Sequence, residues 1–237
     1  MKFAVIAAGD GSRLEREGVA VSKPLVTLNG EPMLDRLVRL FTDAGASEVV
    51  MIVNERMPDV VAHVRAMEEE RRTTACPLRL KVAGTPSSMH SFHAISAWLT
   101  DGPFCLTTVD TVFRPEEFKA YVQAFMESDA DGFMAVTDYV DDERPLYVGT
   151  DDALNITGFY DEPHGCRYVS GGMYCLTPAA IGTLRRCVAE GQSRMRNFQR
   201  QLVKDGLKLK AWPFSKVLDV DHAADIVKAE QFISEIR

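Results

Sequence analysis

The first 140 residues of the chain alternate between two patterns of hydrophobic and polar positions. Short runs that are almost wholly apolar are typical of strands buried on both faces of a parallel sheet, and they lie at 3–8, 48–53, 78–83, 103–110 and 132–137. Longer segments with an apolar stripe at helical spacing separate them, at 33–45, 58–72, 88–99 and 114–128. Because strand–helix–strand units cross over with a right hand, this alternation predicts a three-layer α/β/α sandwich with a mostly parallel sheet.

The pattern changes after these elements. Residues 138–170 are rich in Asp, Gly, Pro and Tyr and contain short β-like pieces, which favours an antiparallel insert or extension. The remaining chain predicts helices and strands at 177–190, 194–205, 207–214, 217–221 and 222–236. Because the sequence shows no internal repeat and no low-complexity linker, we expect a single domain over residues 1–237.

Composition and charge narrow the class of protein. The chain has 237 residues, of which 46% are hydrophobic and 26% charged, as in soluble globular proteins. Its net charge of −7 gives it no overall electrostatic reason to bind nucleic acid. It has no apolar run of membrane-spanning length and no signal-peptide pattern, so we expect a cytoplasmic protein with no membrane partner. Its five cysteines form no CxxC pair, which argues against a disulfide framework or a zinc site.

A glycine loop follows the first predicted strand. Gly9 and Gly11 let backbone N–H groups approach a phosphate closely, and Arg13 can bind a phosphate with two hydrogen bonds. Lys23 supplies a second cation ten residues later. A dinucleotide-binding fingerprint is excluded because Leu14 stands at its third glycine position, and no P-loop motif occurs. A plain tight turn with exposed Arg and Lys is the alternative interpretation.

Three motifs within residues 3–34 occur together: A-A-G-D-G-S-R-L, S-K-P-L and L-N-G-E-P-M. Their combination resembles the opening of the nucleotidyltransferases with a glycosyltransferase-A-like fold, which include sugar-phosphate pyrophosphorylases, phosphocholine and sugar cytidylyltransferases, and molybdenum-cofactor guanylyltransferases. The resemblance implies a Rossmann-like sheet of the nucleotide-diphospho-sugar transferase type, with a glycine loop that wraps a nucleoside triphosphate. It implies that Arg13 and Lys23 are catalytic groups on the phosphates. The implied nucleotide-binding residues are Ala7, Ala8, Gly9, Gly11, Ser12, Gly84, Thr85, Ser87 and Ser88.

Acidic residues follow two of the predicted strands. Asp110 ends the strand 103–110, where ligands of open α/β sheets bind, and carboxylates together with phosphate oxygens suit Mg²⁺. From position alone, a turn or helix-cap role for Asp110 is equally open. Asp219 and Asp221 would share one side of a strand, and two such carboxylates repel unless a cation separates them. The resemblance implies Mg²⁺ on Asp110 and on Asp219 or Asp221. The alternative is that Asp221 caps the last helix and Asp219 is solvated.

The sequence also departs from the family pattern. Asp161-Glu162-Pro163 stands where sugar-phosphate pyrophosphorylases often carry Glu-Lys-Pro, which weakens a hexose 1-phosphate as acceptor and leaves an alcohol phosphate open. Ser87 and Ser88 replace alanines near the base, and capping of the helix 88–99 is the favoured role for these serines. Gly172 and Tyr174 match the segment that lines the acceptor pocket, and residues 138–170 are a candidate β-rich elaboration on that side.

The resemblance therefore predicts a Mg²⁺-dependent nucleotidyltransferase that joins a nucleoside triphosphate to a phosphorylated sugar or alcohol and releases pyrophosphate. Two alternatives remain open. One is an NDP-sugar-dependent glycosyltransferase of the same fold, and the other is a non-catalytic nucleotide-binding relative. The sequence leaves open the base, the acceptor and the oligomeric state.

Overall fold

A nine-stranded sheet forms the centre of the molecule in a computed structural model, which describes residues 1–9, 11–141 and 143–235. The strands of this sheet are β1 (Lys2–Ala7), β4 (Glu48–Val53), β5 (Leu78–Val82), β6 (Phe104–Thr108), β8 (Gly132–Thr137), β9 (Tyr147–Thr150), β10 (Ile156–Tyr160), β11 (Tyr168–Leu176) and β12 (Leu209–Pro213). Four short strands form two separate ribbons, β2 (Thr27–Leu28) with β3 (Glu31–Pro32) and β7 (Thr111–Val112) with β13 (Leu218–Asp219). The predicted three-layer α/β/α sandwich with a mostly parallel sheet is confirmed.

Helices cover both faces of the sheet. They are α1 (Ser12–Arg16), α2 (Met33–Asp43), α3 (Pro58–Glu70), α4 (Ser88–Ile95), α5 (Pro115–Met126), α6 (Ala179–Ala189), α7 (Met195–Lys204) and α8 (Ala223–Ser234). One apolar layer joins α2, α3 and α5 to the sheet, and a second joins α4, α6 and α7 to its other face. A third, smaller cluster packs α1 and α8 against β7 and β13. Within the described residues, no helix is both long and apolar enough to cross a membrane.

The strand order places two antiparallel strands, β10 and β11, among parallel ones. The path is β5-β4-β1-β6-β11-β9-β10, with β8 and β12 on the other side of β11. Val5 of β1 lies opposite Met51 of β4 and Thr107 of β6, in parallel register. The fifth predicted strand, β8, pairs with β11 and not with β6. The carboxyl ends of β1, β4 and β6 therefore share one edge of the sheet, where a ligand can be bound.

The region 138–170 contains β9, β10 and the start of β11, and the predicted antiparallel character is confirmed. β11 has an irregular register between Ser170 and Tyr174, and Gly172 within it has a φ of +71°. A glycine fits this left-handed position because it has no Cβ to clash. The irregularity lets one strand pair with β9 at its start and with β6 at its end.

Two buried polar side chains hold elements together and were not indicated by the apolar pattern. Arg36 of α2 is only 4% exposed and donates a hydrogen bond to the Phe113 carbonyl at 3.1 Å. Burial lowers the pKa of Arg36 to about 10, so it remains charged at neutral pH. The Tyr121 hydroxyl of α5 donates to the Phe133 carbonyl and accepts from the Cys175 amide, at 2.6 and 2.8 Å.

Two predicted strands end earlier than expected, and this moves their acidic residues. The strand 103–110 stops at Thr108, so Asp110 lies in the turn before β7. The strand 217–221 is reduced to Leu218–Asp219, paired with β7. The expectation that Asp219 and Asp221 share one side of a strand is therefore wrong, because Asp221 lies beyond the end of β13.

Candidate active site

A cleft of about 390 Å³ opens at the edge where β1 and β6 end. The predicted site residues that line it are Ala8, Gly9, Gly11, Ser12, Arg13, Lys23, Thr85, Ser87, Ser88, Asp110 and Asp221. The predicted site residues outside its lining are Ala7, Gly84, Gly172, Tyr174 and Asp219. The fold thus brings the glycine loop, both predicted cations and two of the three acidic residues into one cavity.

The glycine loop connects β1 to α1 and turns sharply at Gly11. Gly11 has a φ of +62°, and a Cβ at this position would lie 3.0 Å from the Lys23 Cβ. A side chain here would therefore be both strained and crowded. The carbonyl of Ala8 accepts a hydrogen bond from the side-chain Nδ2 of Asn54 at 3.1 Å. Asn54 directly follows β4 and is 4% exposed. Asn54 was missed by sequence reasoning, although its place directly after an apolar strand was a usable signal.

Lys23 lies between two carboxylates. Its ammonium group donates hydrogen bonds to Asp110 Oδ2 and to Asp221 Oδ1, the second at 2.6 Å. Burial lowers the pKa of Lys23, but the attraction of both carboxylates outweighs burial, and the pKa lies above its usual value. Arg13 Nη1 binds the other oxygen of Asp221 at 2.7 Å. Four charged groups from distant parts of the chain thus form one network.

The two carboxylates, Asp110 and Asp221, offer the kind of oxygen ligand that a divalent cation requires. Asp110 Oδ1 is buried and has no hydrogen-bond partner among the described residues, so it keeps lone pairs for a further ligand. No group of three or more His, Cys, Asp or Glu with metal-binding spacing occurs within residues 1–9, 11–141 and 143–235. Two carboxylates are nonetheless what Mg²⁺ takes when phosphate oxygens and water complete its shell. Asp110 and Asp221 fit such an ion.

The alternative roles of the acidic residues are resolved by the helix that follows them. His222 is the N-cap residue of α8, so the interpretation of Asp221 as the cap is wrong. Glu17, the residue directly after α1, binds the His222 ring at 2.6 Å and accepts from the Ala223 amide at 2.7 Å. Asp219 is exposed and pairs with Thr111 across the ribbon, outside the cleft lining.

Small hydroxyl side chains from the segment at the start of α4 also line the cleft. The Ser87 side chain accepts from the His90 amide at 3.5 Å and caps α4, so the capping interpretation is confirmed for Ser87. The Thr85 and Ser91 hydroxyls lie 2.5 Å apart. Gly84 precedes this wall, and a Cβ there would lie 3.1 Å from Glu55 Oε1.

The predicted acceptor residues are Gly172, within the irregular part of β11, and Tyr174, directly after it. Burial raises the pKa of the Tyr174 hydroxyl, which accepts a hydrogen bond from Gln199 Nε2 at 2.8 Å. Gln199 of α7 is also buried. The sequence did not indicate this, because the apolar pattern marks its neighbour Phe198 as buried and gives no signal for a polar residue. Asp161, the neighbour of the departing residue Glu162, is held in place, because Arg196 and Arg200 bind its two oxygens at 2.5 and 2.7 Å.

Comparison with curated proteins finds relatives at about a quarter sequence identity. The chain is 24% identical over 244 residues to the bifunctional protein GlmU of Geobacter metallireducens. The alignment covers 96% of this chain and 49% of that protein. It is 26% identical over 191 residues to the mannose-1-phosphate guanyltransferase of Emericella nidulans, covering 76% of this chain and 50% of that protein. The chain thus spans about half the length of the curated relatives it matches.

Two solved structures share the fold over almost the whole chain. A protein described as a glucose-1-phosphate thymidylyltransferase from Bacillus anthracis matches with a TM-score of 0.85 and 17% identity, covering 100% of this chain and 96% of its own. The inositol-1-phosphate CTP transferase of T. maritima matches with a TM-score of 0.80 and 20% identity, covering 99% and 95%. Residues 3–205 match the MobA-like NTP transferase domain, and the chain belongs to that family.

Proposed function

We propose that this protein is a Mg²⁺-dependent nucleotidyltransferase that joins a nucleoside triphosphate to a phosphorylated sugar or alcohol and releases pyrophosphate. The observation that carries the proposal is the ion-pair network of Arg13, Lys23, Asp110 and Asp221, which lines the same cleft as the glycine loop. A triphosphate needs cations, and a divalent ion needs carboxylates, and this cleft holds both. Three of the four proteins named above act, by their names, on mannose 1-phosphate, glucose 1-phosphate or inositol 1-phosphate, and all three compounds are phosphate monoesters.

In the proposed reaction, an acceptor phosphate oxygen attacks the α-phosphorus of the triphosphate. The new bond joins that oxygen to the α-phosphorus, and the bond to the β-phosphate breaks. The acceptor phosphate is already ionised near neutral pH, so no side chain has to remove a proton. The protein therefore acts by positioning the reactants and by neutralising charge. Arg13 and Lys23 bind the phosphates and offset the negative charge that develops on pyrophosphate.

In this proposal Asp110 and Asp221 hold the metal ion, and Asp219 does not, because only the first two line the cleft. Mg²⁺ bound there would supply positive charge to the α-phosphate oxygens. Gly9, Gly11 and Ser12 would contact the nucleotide, and Thr85 and Ser88 line the same cavity. We further propose that residues 1–237 work as one domain, with the antiparallel region 138–170 on the acceptor side.

The acceptor is open between a sugar phosphate and an alcohol phosphate. Glu162 replaces the lysine that sugar-phosphate pyrophosphorylases often use, and Asp161 beside it is bound by two arginines. The loop after β10 thus contains no lysine that could bind the phosphate of a hexose 1-phosphate. An alcohol phosphate is therefore the better first candidate for the acceptor.

The test is pyrophosphate release with Mg²⁺ from each of CTP, UTP, GTP, ATP and dTTP, against sugar 1-phosphates, phosphocholine, inositol phosphates and related alcohol phosphates. Release that requires one nucleotide and one acceptor together is the expected result, and it names both substrates. Transfer from an NDP-sugar without pyrophosphate release would instead establish the glycosyltransferase alternative. Nucleotide binding without turnover across the panel would favour the non-catalytic relative.

A further inference from the structure

The two carboxylates of the cleft are carried by one short ribbon, formed by β7 and β13. Asp110 comes directly before β7, and Asp221 follows β13 by two residues. The Val220 amide donates a hydrogen bond to the Asp110 carbonyl at 3.1 Å, which extends the pairing of the two strands toward the cleft. This pairing sets the separation of the two carboxylates, and the place of the ribbon sets their distance from Lys23.

The ribbon is too short to keep its place by its own hydrogen bonds. Each of its strands has two residues, and an isolated pair of strands is at best marginally stable in water. Val112, Leu218 and Val220 pack in the third apolar cluster, with α1 and α8. Phe113, directly after β7, belongs instead to the apolar layer of α2, α3 and α5. The place of the ribbon therefore depends on how Phe113 is held.

Arg36 of α2 contacts both the backbone and the ring of Phe113. Its guanidinium group donates to the Phe113 carbonyl, and its Cζ lies 5.9 Å from the centroid of the Phe113 ring. The same ring stacks on Phe118 of α5, with centroids 4.7 Å apart. The backbone three residues after Asp110 is thus fixed from the body of the molecule by a charged donor.

The charge of Arg36 is buried without an ion-pair partner among the residues that the structure describes. Glu31, whose charge acts on it, binds Arg39 with both oxygens, at 2.8 and 2.7 Å. A buried charge without such a partner lowers stability, and an apolar side chain of similar size would avoid this loss. A residue that lowers stability and contacts the segment beside a charged cleft indicates a functional role.

We propose that Arg36 is a positioning residue. Its hydrogen bond to the Phe113 carbonyl fixes the ribbon of β7 and β13, and the ribbon holds Asp110 and Asp221 at the spacing that one divalent cation requires. This inference rests on the proposed function, because it takes these two carboxylates to hold the metal ion. Arg36 acts only through the ribbon, since it lies outside the lining of the cleft.

The first experiment compares amide hydrogen exchange in the full-length wild type and in Arg36→Met. Methionine is a flexible apolar residue that can fill the space, and it removes the charge and the donor. The Val220 amide reports on the ribbon, and amides of β1 and β4 report on the rest of the sheet. In the variant, exchange at Val220 should quicken by about 10-fold or more relative to β1 and β4, the effect of losing one hydrogen bond from a charged donor.

Arg79→Met is the matched control. Arg79 of β5 also lies over an aromatic ring, that of Trp98, but it is half-exposed and far from the ribbon in the sheet order. Its loss should leave exchange at Val220 unchanged relative to β1 and β4. Equal acceleration of all these amides in Arg36→Met would show a general structural role, and no acceleration would show that Arg36 does not hold the ribbon. Either result overturns the proposal.

The second experiment measures pyrophosphate release against Mg²⁺ concentration. In Arg36→Met the half-saturating Mg²⁺ concentration should rise about 10–100-fold, the usual effect of losing a residue that orients a metal ligand. A general structural role would lower only the amount of active protein, so an unchanged half-saturating concentration overturns the positioning role and leaves the transferase standing. Absence of release by the wild type with every substrate pair overturns the proposed function instead, and the exchange experiment still tests whether Arg36 holds the ribbon.

A measurement on the wild type keeps the proposal testable if Arg36→Met fails to fold. In low concentrations of urea a protein opens in cooperative units, and the amides of one unit share one free energy of opening. We expect the Val220 amide to open together with the amides of α2, because Arg36 ties the ribbon to that helix. Opening of Val220 together with α8, before α2, contradicts the proposal.

Discussion

At the scale of single residues, the two oxygens of Asp110 indicate what the cleft binds. One of its oxygens binds Lys23, and the other is buried with no hydrogen-bond partner among the described residues. A carboxylate that supplies only packing would not keep an unsatisfied oxygen in a cleft, because that oxygen has lost its hydration. The side chain is therefore better explained by binding of a cation than by a turn role.

Asp110→Asn tests this explanation, because it keeps the shape of the side chain and removes its charge. We expect pyrophosphate release to fall by at least about 100-fold, the typical effect of losing one charge-stabilising group. Lys23 keeps Asp221 as a partner, so the thermal midpoint should change by less than about 4 °C, or about 1 kcal/mol. Turnover and a melting curve are measured with Asp43→Asn as control, because Asp43 is half-exposed and lies beside Met1, at the opposite edge of the sheet. Near-normal turnover in Asp110→Asn would exclude this residue from the mechanism.

Among the elements, α5 is tied to the junction of β8 and β11 by one side chain. The Tyr121 hydroxyl binds the Phe133 carbonyl of β8 and the Cys175 amide of β11, and Tyr121 is fully buried. Cys175 is fully buried, so its amide is shielded from water and uses this oxygen as a hydrogen-bond acceptor. The hydroxyl therefore joins three elements where the antiparallel strand enters the sheet.

Tyr121→Phe removes this oxygen and leaves two backbone groups without their partner. We expect the free energy of unfolding to fall by about 1–3 kcal/mol, the cost of an unsatisfied buried polar group. Urea unfolding measures the change. Tyr160→Phe is the control, because Tyr160 is 36% exposed, and its stability should change by less than about 0.5 kcal/mol. Equal effects of the two substitutions would contradict the role of Tyr121.

The contact between α1 and α8 should depend on pH. The hydrogen bond between Glu17 and His222 raises the pKa of His222 above 6.5 and lowers that of Glu17 below 4.5. The contribution of His222 to stability is complete below 6.5 and is lost as the pH rises through its higher folded value. The contribution of Glu17 is complete above 4.5 and is lost as the pH falls through its lower folded value.

Glu17→Gln should therefore destabilise the protein most between these two limits, and less in alkaline solution. Urea midpoints of the wild type and the variant, measured at about pH 5.5 and about pH 8.5, give the comparison. Glu15→Gln is the control, since Glu15 is an exposed residue of α1 that lies two positions before Glu17. A wild-type advantage of equal size at both pH values would show that the charge on His222 contributes nothing.

For the molecule as a whole, the cleft joins segments that are far apart in the chain. Lys23 and Asp221 are separated by 198 residues, and the third apolar cluster packs α1 and α8 beside them. A ligand that binds these groups therefore binds only the folded chain, and it should stabilise the whole fold.

Thermal melts should show this stabilisation most clearly with nucleotide and Mg²⁺ together. At a concentration about 100 times the dissociation constant, we expect a gain of about 2.7 kcal/mol, which is roughly 5–11 °C for a chain of this size. Nucleotide or Mg²⁺ alone should give smaller shifts, and Lys23→Met should abolish the joint effect. Shifts from the separate ligands that add up to the joint shift would argue against a shared site.

The apolar pattern by itself predicted the longer strands and helices and their order along the chain. Each strand and helix is specified by a local period, so β1, α2, β4 and α5 were predicted to within a few residues. The glycine loop was also predictable, because Gly9, Gly11 and Arg13 are neighbours in the chain and a backbone turn is a local property. The ends of strands were less certain, since they depend on which neighbour continues the hydrogen-bond ladder.

Contacts between distant segments were decided only by the tertiary structure. The insertion of β11 between β6 and β8 follows from the strand order, which no local pattern encodes. The same folding buries Arg36 and Asn54, and it sends Asp221 into the cleft while Asp219 stays outside. The sequence therefore determined which chemistry the chain carries, and the path of the chain decided which charges meet, because such meetings depend on packing and not on spacing along the chain.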